Sequence, residues 1–378
     1  IYLAQIGLLE GIYHATSIVC EIPSGAAADL LGRKRCMILS NICIAVSCVI
    51  MLFSKSFGCF AVSFVVQALG NNLNSGSEEA LVYDSMKCLG QEEHYMGVYG
   101  RINVLIEVAQ GLATVAGGVL AEFSYFWCYA ACVVIAVLAL LPVLWMGAEP
   151  PQCGEAADTA GEGVEDAAEG TPAQRTTRET VKHHFAVSAC ILQKDVRIGK
   201  IIGFYSVVFA AHTLLFFYSQ QYFADLGYNK VQISVIMLLV GGASCLGALV
   251  SEKMYRWFGK KCLIPETVII AGAILCYGAG KADVAAAALM CAGFANAALY
   301  PIQSDSLNAL IPSEQRATLI SVDSMCFSIA MIVLFPLAGA LADRWGLKTV
   351  LLLLGVILLL FLLTVFCIEK ESFSSDHS

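Results

Sequence analysis

The chain is 378 residues long, 58% hydrophobic and only 14% charged, with a mean hydropathy of +0.74. Soluble domains carry about 25% charge, so a soluble enzyme or a nucleic-acid-binding module is excluded as the default reading. The formal net charge of −8 says little alone, because orientation in a bilayer follows the placement of Lys and Arg rather than the sum of charges.

A hydrocarbon core of about 30 Å needs about 20 mostly apolar residues per helix, and such stretches recur between short polar links. They predict eleven transmembrane helices, near 6–28, 36–54, 58–83, 98–121, 125–146, 200–222, 231–251, 262–280, 283–304, 319–341 and 348–367. The third is the least apolar, since Asn71, Asn72, Asn74, Ser75, Ser77, Glu78 and Glu79 crowd its second half. If the link after the first span is cytoplasmic, 17 Lys and Arg fall on that side and 5 on the other. The positive-inside rule then orients the chain. Most of the sixteen cysteines stand singly inside apolar spans, where they act as small hydrophobes, and no zinc-ligand spacing emerges, so neither a metal nor a cofactor is expected.

The apolar spans stop between residues 149 and 199, where EAADTAGEGVEDAAEG and then a basic stretch have too little apolar surface to fold alone. This cytoplasmic linker divides an N-terminal half, 1–148, from a C-terminal half, 200–369, followed by a tail, 370–378. The halves repeat each other. An offset of 227 carries Gln5-Ile6 onto Gln232-Ile233, Gly32 onto Gly259 and Arg33-Lys34 onto Lys260-Lys261. An offset of 221 carries Asp84-Ser85 onto Asp305-Ser306, Gly118 onto Gly339, Leu120-Ala121 onto Leu341-Ala342 and Glu122 onto Asp343. Internal repeats of this kind mark secondary transporters, whose substrate site lies near the bilayer midplane. The span 200–222 precedes the second repeat, and its counterpart falls before Ile1. The repeat therefore predicts twelve helices with the first missing from this sequence.

The loop after the first span reads Gly25-Ala-Ala-Ala-Asp29-Leu-Leu-Gly32-Arg33-Lys34-Arg35, preceded by Glu21-Ile22-Pro23-Ser24. Gly25 permits close helix approach, Gly32 a tight turn, and the cationic triplet sits where it need not cross the membrane. The pattern resembles the G-x-x-x-D-x-x-G-R-[KR]-[KR] loop of the major facilitator superfamily, in its EIP[ST]G form common among bacterial members. The resemblance implies an all-α polytopic fold of two pseudo-symmetric six-helix halves, a location in the bacterial plasma membrane, and a monomer with a small-molecule substrate and a proton as coupling ion. It also implies that Asp29, with Arg33 and Lys34, forms a cytoplasmic latch favouring the outward-facing state. In the second repeat Glu252 replaces the glycine and Arg256 the aspartate. Two patterns of drug/proton antiporters are incomplete: no Arg precedes Gln67-Ala68-Leu69-Gly70, and Gly111, Gly117 and Gly118 lack the accompanying Pro.

An ionisable side chain at mid-membrane costs about 2.5–3.5 kcal/mol on insertion scales, so each invites a functional reading. Glu107 shares one helical face with Asn103, Gln110 and Thr114, and a carboxyl facing a cavity there can exchange a proton during transport. The alternative is a structural hydrogen bond to a neighbouring helix. Glu10, His14, Ser17 and Glu21 form a second stripe on the first span, where interfacial water offers the competing explanation. Glu78, Glu79 and Asp84 read as packing or gating groups. Tyr205 and His212, with Asn296, Tyr300 and Gln303 on one face of 283–304, would line a cavity for an amphipathic solute or else pack between helices. Asp323 reads as a partner of its own helix N-terminus.

These features predict a secondary active transporter working by alternating access, with export of small organic solutes the leading direction and nutrient uptake the alternative. A receptor or sensor that kept the fold is a competing class, though no signalling domain is visible. An integral membrane enzyme is weaker, because no nucleophile, base and orienting group recur at motif spacing. Direct ATP drive is not expected without a P-loop.

Overall fold

The computed structural model describes residues 2–74, 77–91, 94–147, 196–259, 263–310 and 316–375. Every regular element among them is helical. The helices are α1 (Leu3–Leu31), α2 (Arg33–Phe53), α3 (Phe57–Asn74), α4 (Ser77–Cys88), α5 (Tyr95–Phe123) and α6 (Tyr125–Trp145), then α7 (Val196–Asp225), α8 (Lys230–Phe258), α9 (Leu263–Cys276), α10 (Ala282–Leu310), α11 (Arg316–Trp345) and α12 (Leu347–Ser375). A 3-10 turn, Tyr277–Ala279, extends α9. Eight of them are long and apolar enough to cross a membrane: α2, α5 to α8 and α10 to α12. The chain is a multi-pass membrane protein.

Each expected span finds a helix. The stretch 58–83 is covered by α3 and α4, and residues 75 and 76 between them lie outside the described residues. Other helices outrun the expectation: α7 has 30 residues, about 45 Å at 1.5 Å per residue, so its ends extend past a 30 Å hydrocarbon layer or it tilts. The helix α12 continues to Ser375, into the expected tail.

The repeat is visible at the helix boundaries. Gly32, between α1 and α2, has φ of 88°, and its repeat partner Gly259, which caps α8, has φ of 55°. Both angles suit a residue without Cβ, and both turns precede a basic run. Pro23, Pro142, Pro301 and Pro336 lie inside helices, each removing one backbone N–H from the helical ladder.

The described chain forms two compact units. The first comprises the described residues within 1–11, 111–124 and 190–378, and so takes the start of α1 and the end of α5 together with α7 to α12. Its core is built on α7, where Val208, Ala211, Leu214, Leu215 and Phe223 are fully or almost fully buried. Small residues bring α8 and α10 together: a Cβ on Gly247 would stand closer than 3.0 Å to the Phe294 backbone oxygen, and one on Gly293 would press on Ser244 Oγ. Close backbone approach through small residues is the packing mode that lipid-embedded helices favour. Tyr218 donates to the Phe335 carbonyl at 3.2 Å and Tyr222 to the Tyr277 carbonyl at 2.9 Å.

The second unit comprises the described residues within 12–110 and 125–189. Its packing centres on α2, which lies against α3 and α6. Ser63 Oγ, buried, lies 3.1 Å from Ser47 Oγ and donates to the Ser47 carbonyl at 2.9 Å.

Candidate functional site

Within the first unit, polar side chains of α7, α10 and α11 stand in an otherwise apolar interior. Gln303, 2% exposed, donates through Nε2 to both carboxylate oxygens of Asp323, at 3.1 and 3.2 Å. Asp323 lies seven residues into α11, beyond the first turn. A helix dipole acts within about one turn, so its expected role as an N-terminal partner gives way to an interhelical bond with α10. On α7 and α10, His212 Nε2, Asn296 Oδ1 and Gln303 Oε1 are buried with no hydrogen-bond partner among the described residues. A buried polar atom left unpaired costs about 1–3 kcal/mol, and such atoms in a native structure call for a functional or structural reason.

His212 and Asn296 occupy the middle of α7 and α10, which pack together. Tyr300, on the same α10 face as Asn296 and Gln303, is 62% exposed and lies 5.9 Å from the Phe209 ring of α7. Phe209 also stacks on Tyr205 at 5.8 Å. Tyr205 itself is buried in the core of the unit. The α7 and α10 candidates thus separate into an exposed aromatic, Tyr300, and buried groups around His212, Asn296 and Gln303. Phe209, which links the aromatics, was hidden in the sequence among many apolar residues of α7.

Glu266, on α9, is a further buried carboxylate, 1% exposed with neither oxygen hydrogen-bonded among the described residues. It falls in the first turn of α9, where the helix dipole favours an anion. The sequence signal was a lone Glu after Pro265 near the edge of a span, easily taken as interfacial.

In the second unit, α1 and α3 are joined by a polar zipper. Ser17 Oγ donates to Asn72 Oδ1 at 3.1 Å, Asn72 Nδ2 donates to the Ser17 carbonyl at 3.3 Å, and Asn71 Nδ2 donates to Tyr13 Oη at 2.8 Å. The Tyr13 ring stands edge-on to His14 at 5.4 Å. Ser17 is therefore committed to holding α3, and the asparagines that weakened the hydropathy of α3 are its partners. Glu10 and His14 are half-buried higher on the same helix, and Glu21 is half-buried lower down. Asn74 donates to Glu78 at 3.2 Å, in keeping with a packing role for that acid. Glu107 is exposed, as are Val104, Leu105, Ile106, Val108 and Gln110 around it. The side chains of Asn103, Glu79, Asp84 and Asp305 lie outside the described residues.

The basic loop has a local use. Lys34 Nζ donates to the carbonyls of Leu144 at 3.5 Å, Gly147 at 3.4 Å and Met146, at the C-terminal end of α6. A cation there meets the orphan carbonyls and the negative end of the helix dipole. Lys34 is thus a cap for α6, a contact the motif did not announce. The surroundings of Gly25 and the side chain of Asp29 lie outside what the structure describes. At their repeat positions Glu252 and Arg256 pair with each other along α8 at 3.7 Å, both largely exposed.

The profile of the Major Facilitator Superfamily matches residues 1–280 and 267–376. An uncharacterized MFS-type transporter of Bacillus subtilis (strain 168), YxaM, is 21% identical over 362 residues, covering 94% of this chain and 85% of its own. The multidrug efflux pump Tap of Mycolicibacterium fortuitum is 23% identical over 359 residues, covering 91% of this chain and 82% of its own. Among solved structures, a mutant of the nucleoside transporter NupG superposes with a TM-score of 0.79 at 14% identity, over 97% of this chain and 92% of that one. A D-xylose-proton symporter follows with a TM-score of 0.68 at 14% identity, over 94% and 87%.

Proposed function

Since the chain belongs to the Major Facilitator Superfamily, we propose that it is a secondary active transporter of the bacterial plasma membrane that exports a small organic solute by alternating access, driven by proton movement. The transporter class rests on the family. The observation that supports a solute site is the set of buried polar atoms on α7 and α10, His212 Nε2, Asn296 Oδ1 and Gln303 Oε1, beside the exposed Tyr300 ring. Amide and imidazole groups with spare hydrogen-bonding capacity, next to aromatic faces, suit an amphipathic solute. No Lys or Arg stands near the middle of any span, so the site favours a neutral or cationic solute over an anion.

For coupling, Glu107 remains the proposed proton carrier of the second unit, with Glu10, His14 and Glu21 as further candidates. Asp323 joins them. It accepts two hydrogen bonds from Gln303, which shares a helical face with Asn296, so a change in its protonation would be felt along that face. Export is supported by the likeness to the efflux pump Tap, and uptake is the alternative, in line with the nucleoside and sugar transporters that share the fold.

The test is flux of a solute panel in proteoliposomes containing the chain, with and without an imposed pH gradient. Accumulation of one solute class that collapses when the gradient is dissipated is the expected result. Equal flux with and without the gradient removes proton coupling, and no flux of any solute removes the transport reading.

A further inference from the structure

The first unit holds two contacts at its outer end that the internal repeat relates to each other. At the start of α1, Asp343 accepts from the backbone N–H of Leu3 at 3.0 Å and of Ala4 at 2.8 Å. At the start of α8, Glu122 accepts from the backbone N–H of Lys230 at 3.2 Å, and Lys230 Nζ donates to the Ala121 carbonyl. The offset of 227 carries Leu3 onto Lys230, and the offset of 221 carries Glu122 onto Asp343. Each acid, at the outer end of the fifth helix of one repeat, caps the second helix of the other.

The surroundings follow the same symmetry. Gln5 accepts from the N–H of Tyr2 at 3.1 Å, and Gln232 accepts from the N–H of Asn229 at 3.0 Å. Below the caps the helices touch through glycines. A Cβ on Gly339 would stand closer than 3.0 Å to the Leu3 carbonyl, and one on Gly118 closer than 3.0 Å to Ser234 Oγ. Gly118 and Gly339 are repeat partners, as are Gly7 and Ser234. Gly7 in turn meets the backbone of Phe335 and Pro336.

A helix N-terminus carries about half a positive charge and up to four orphan N–H donors. A carboxylate from a different helix that fills this position ties two helices together and does so only while they are in register. We propose that Asp343 and Glu122 form a two-point latch, which holds the outer ends of the two repeats together in one conformation and must release at both points for the outer side to open. The chemistry needs no cationic side chain at α1, where the positive pole is the helix end itself. The two latches act on one equilibrium because α1 with α11, and α5 with α8, are stiff helices.

Hydrogen exchange of the chain in lipid nanodiscs, read by mass spectrometry on peptides spanning 2–11 and 229–238, tests this. Asp343→Ala and Glu122→Ala are compared singly with the parent. Both acids are exposed, so loss of either is not expected to prevent folding. If purification yields no folded Ala variant, Asp343→Asn and Glu122→Gln, which keep an acceptor but lose the charge, are read by the same criterion. A shared latch predicts that either substitution speeds exchange at both helix starts, by about fivefold, the effect of one lost cap. Faster exchange confined to the helix start whose own cap was removed would show two independent caps and overturn the proposal. No change at either start would overturn it as well.

Discussion

The outer and inner ends of the molecule treat the same internal repeat differently. At the outer end the repeat is chemically intact: Glu122 matches Asp343, Gln5 matches Gln232, Gly118 matches Gly339, and the paired residues make the same contacts. At the inner end it has diverged. Gly25 and Asp29 of the first repeat are replaced in the second by Glu252 and Arg256, and these two have become an ion pair along their own helix. A duplicated architecture therefore keeps its symmetry where both copies do one job in one contact surface. It loses symmetry where one copy can be relieved by a local substitution, here a Glu and an Arg spaced four apart.

The comparison can be broken most severely at the outer glycines. Gly339→Leu forces a side chain into the Leu3 backbone and Gly7→Leu into that of Phe335, where the obstacle is main chain and cannot rotate aside. Flux in proteoliposomes should fall by at least about tenfold in either variant, because helices that meet through small residues lose their contact, while membrane insertion is retained. Flux at the parental rate would show that the outer contact is not part of the cycle.

A more selective effect is expected from the carboxylates of the two units. Glu107→Gln should abolish gradient-driven accumulation while sparing solute binding, and Asp323→Asn should do the same if both carry the proton. A variant that loses binding instead identifies a solute contact. Accumulation unchanged in Glu107→Gln removes that residue from the coupling proposal and leaves Asp323 to carry it.

The inner end supplies the smallest pair of effects and sharpens the asymmetry. Lys34→Met uncaps α6 and should lower stability by about 0.5–1 kcal/mol, the value of a cation at a helix C-terminus. Arg256→Ala removes only an exposed pair and should cost no more than about 0.5 kcal/mol. Thermal unfolding in detergent measures both. Equal losses would mean that the two basic loops are structurally equivalent after all.

Much of this architecture was legible in the chain itself. Apolar length dictates membrane helices because a backbone without water must satisfy its hydrogen bonds internally. The repeat offsets named the cap residues as partners before any contact was known, and Gly32 and Gly259 marked breaks that do carry positive φ. Three-dimensional packing decided the rest. Hydropathy could not tell that Asn71 and Asn72 are polar because α1 bonds to them. Helical periodicity placed Ser17 with Glu10 and His14, yet its bond to Asn72 commits it to packing. Asp323 read as a helix-end residue until Gln303 was seen to hold it from another helix, and Glu266 drew no reading at all until its burial was known. Periodicity along one helix states which residues share a face. Which neighbour that face meets is a property of contacts between segments far apart in sequence, and only the tertiary structure supplies it.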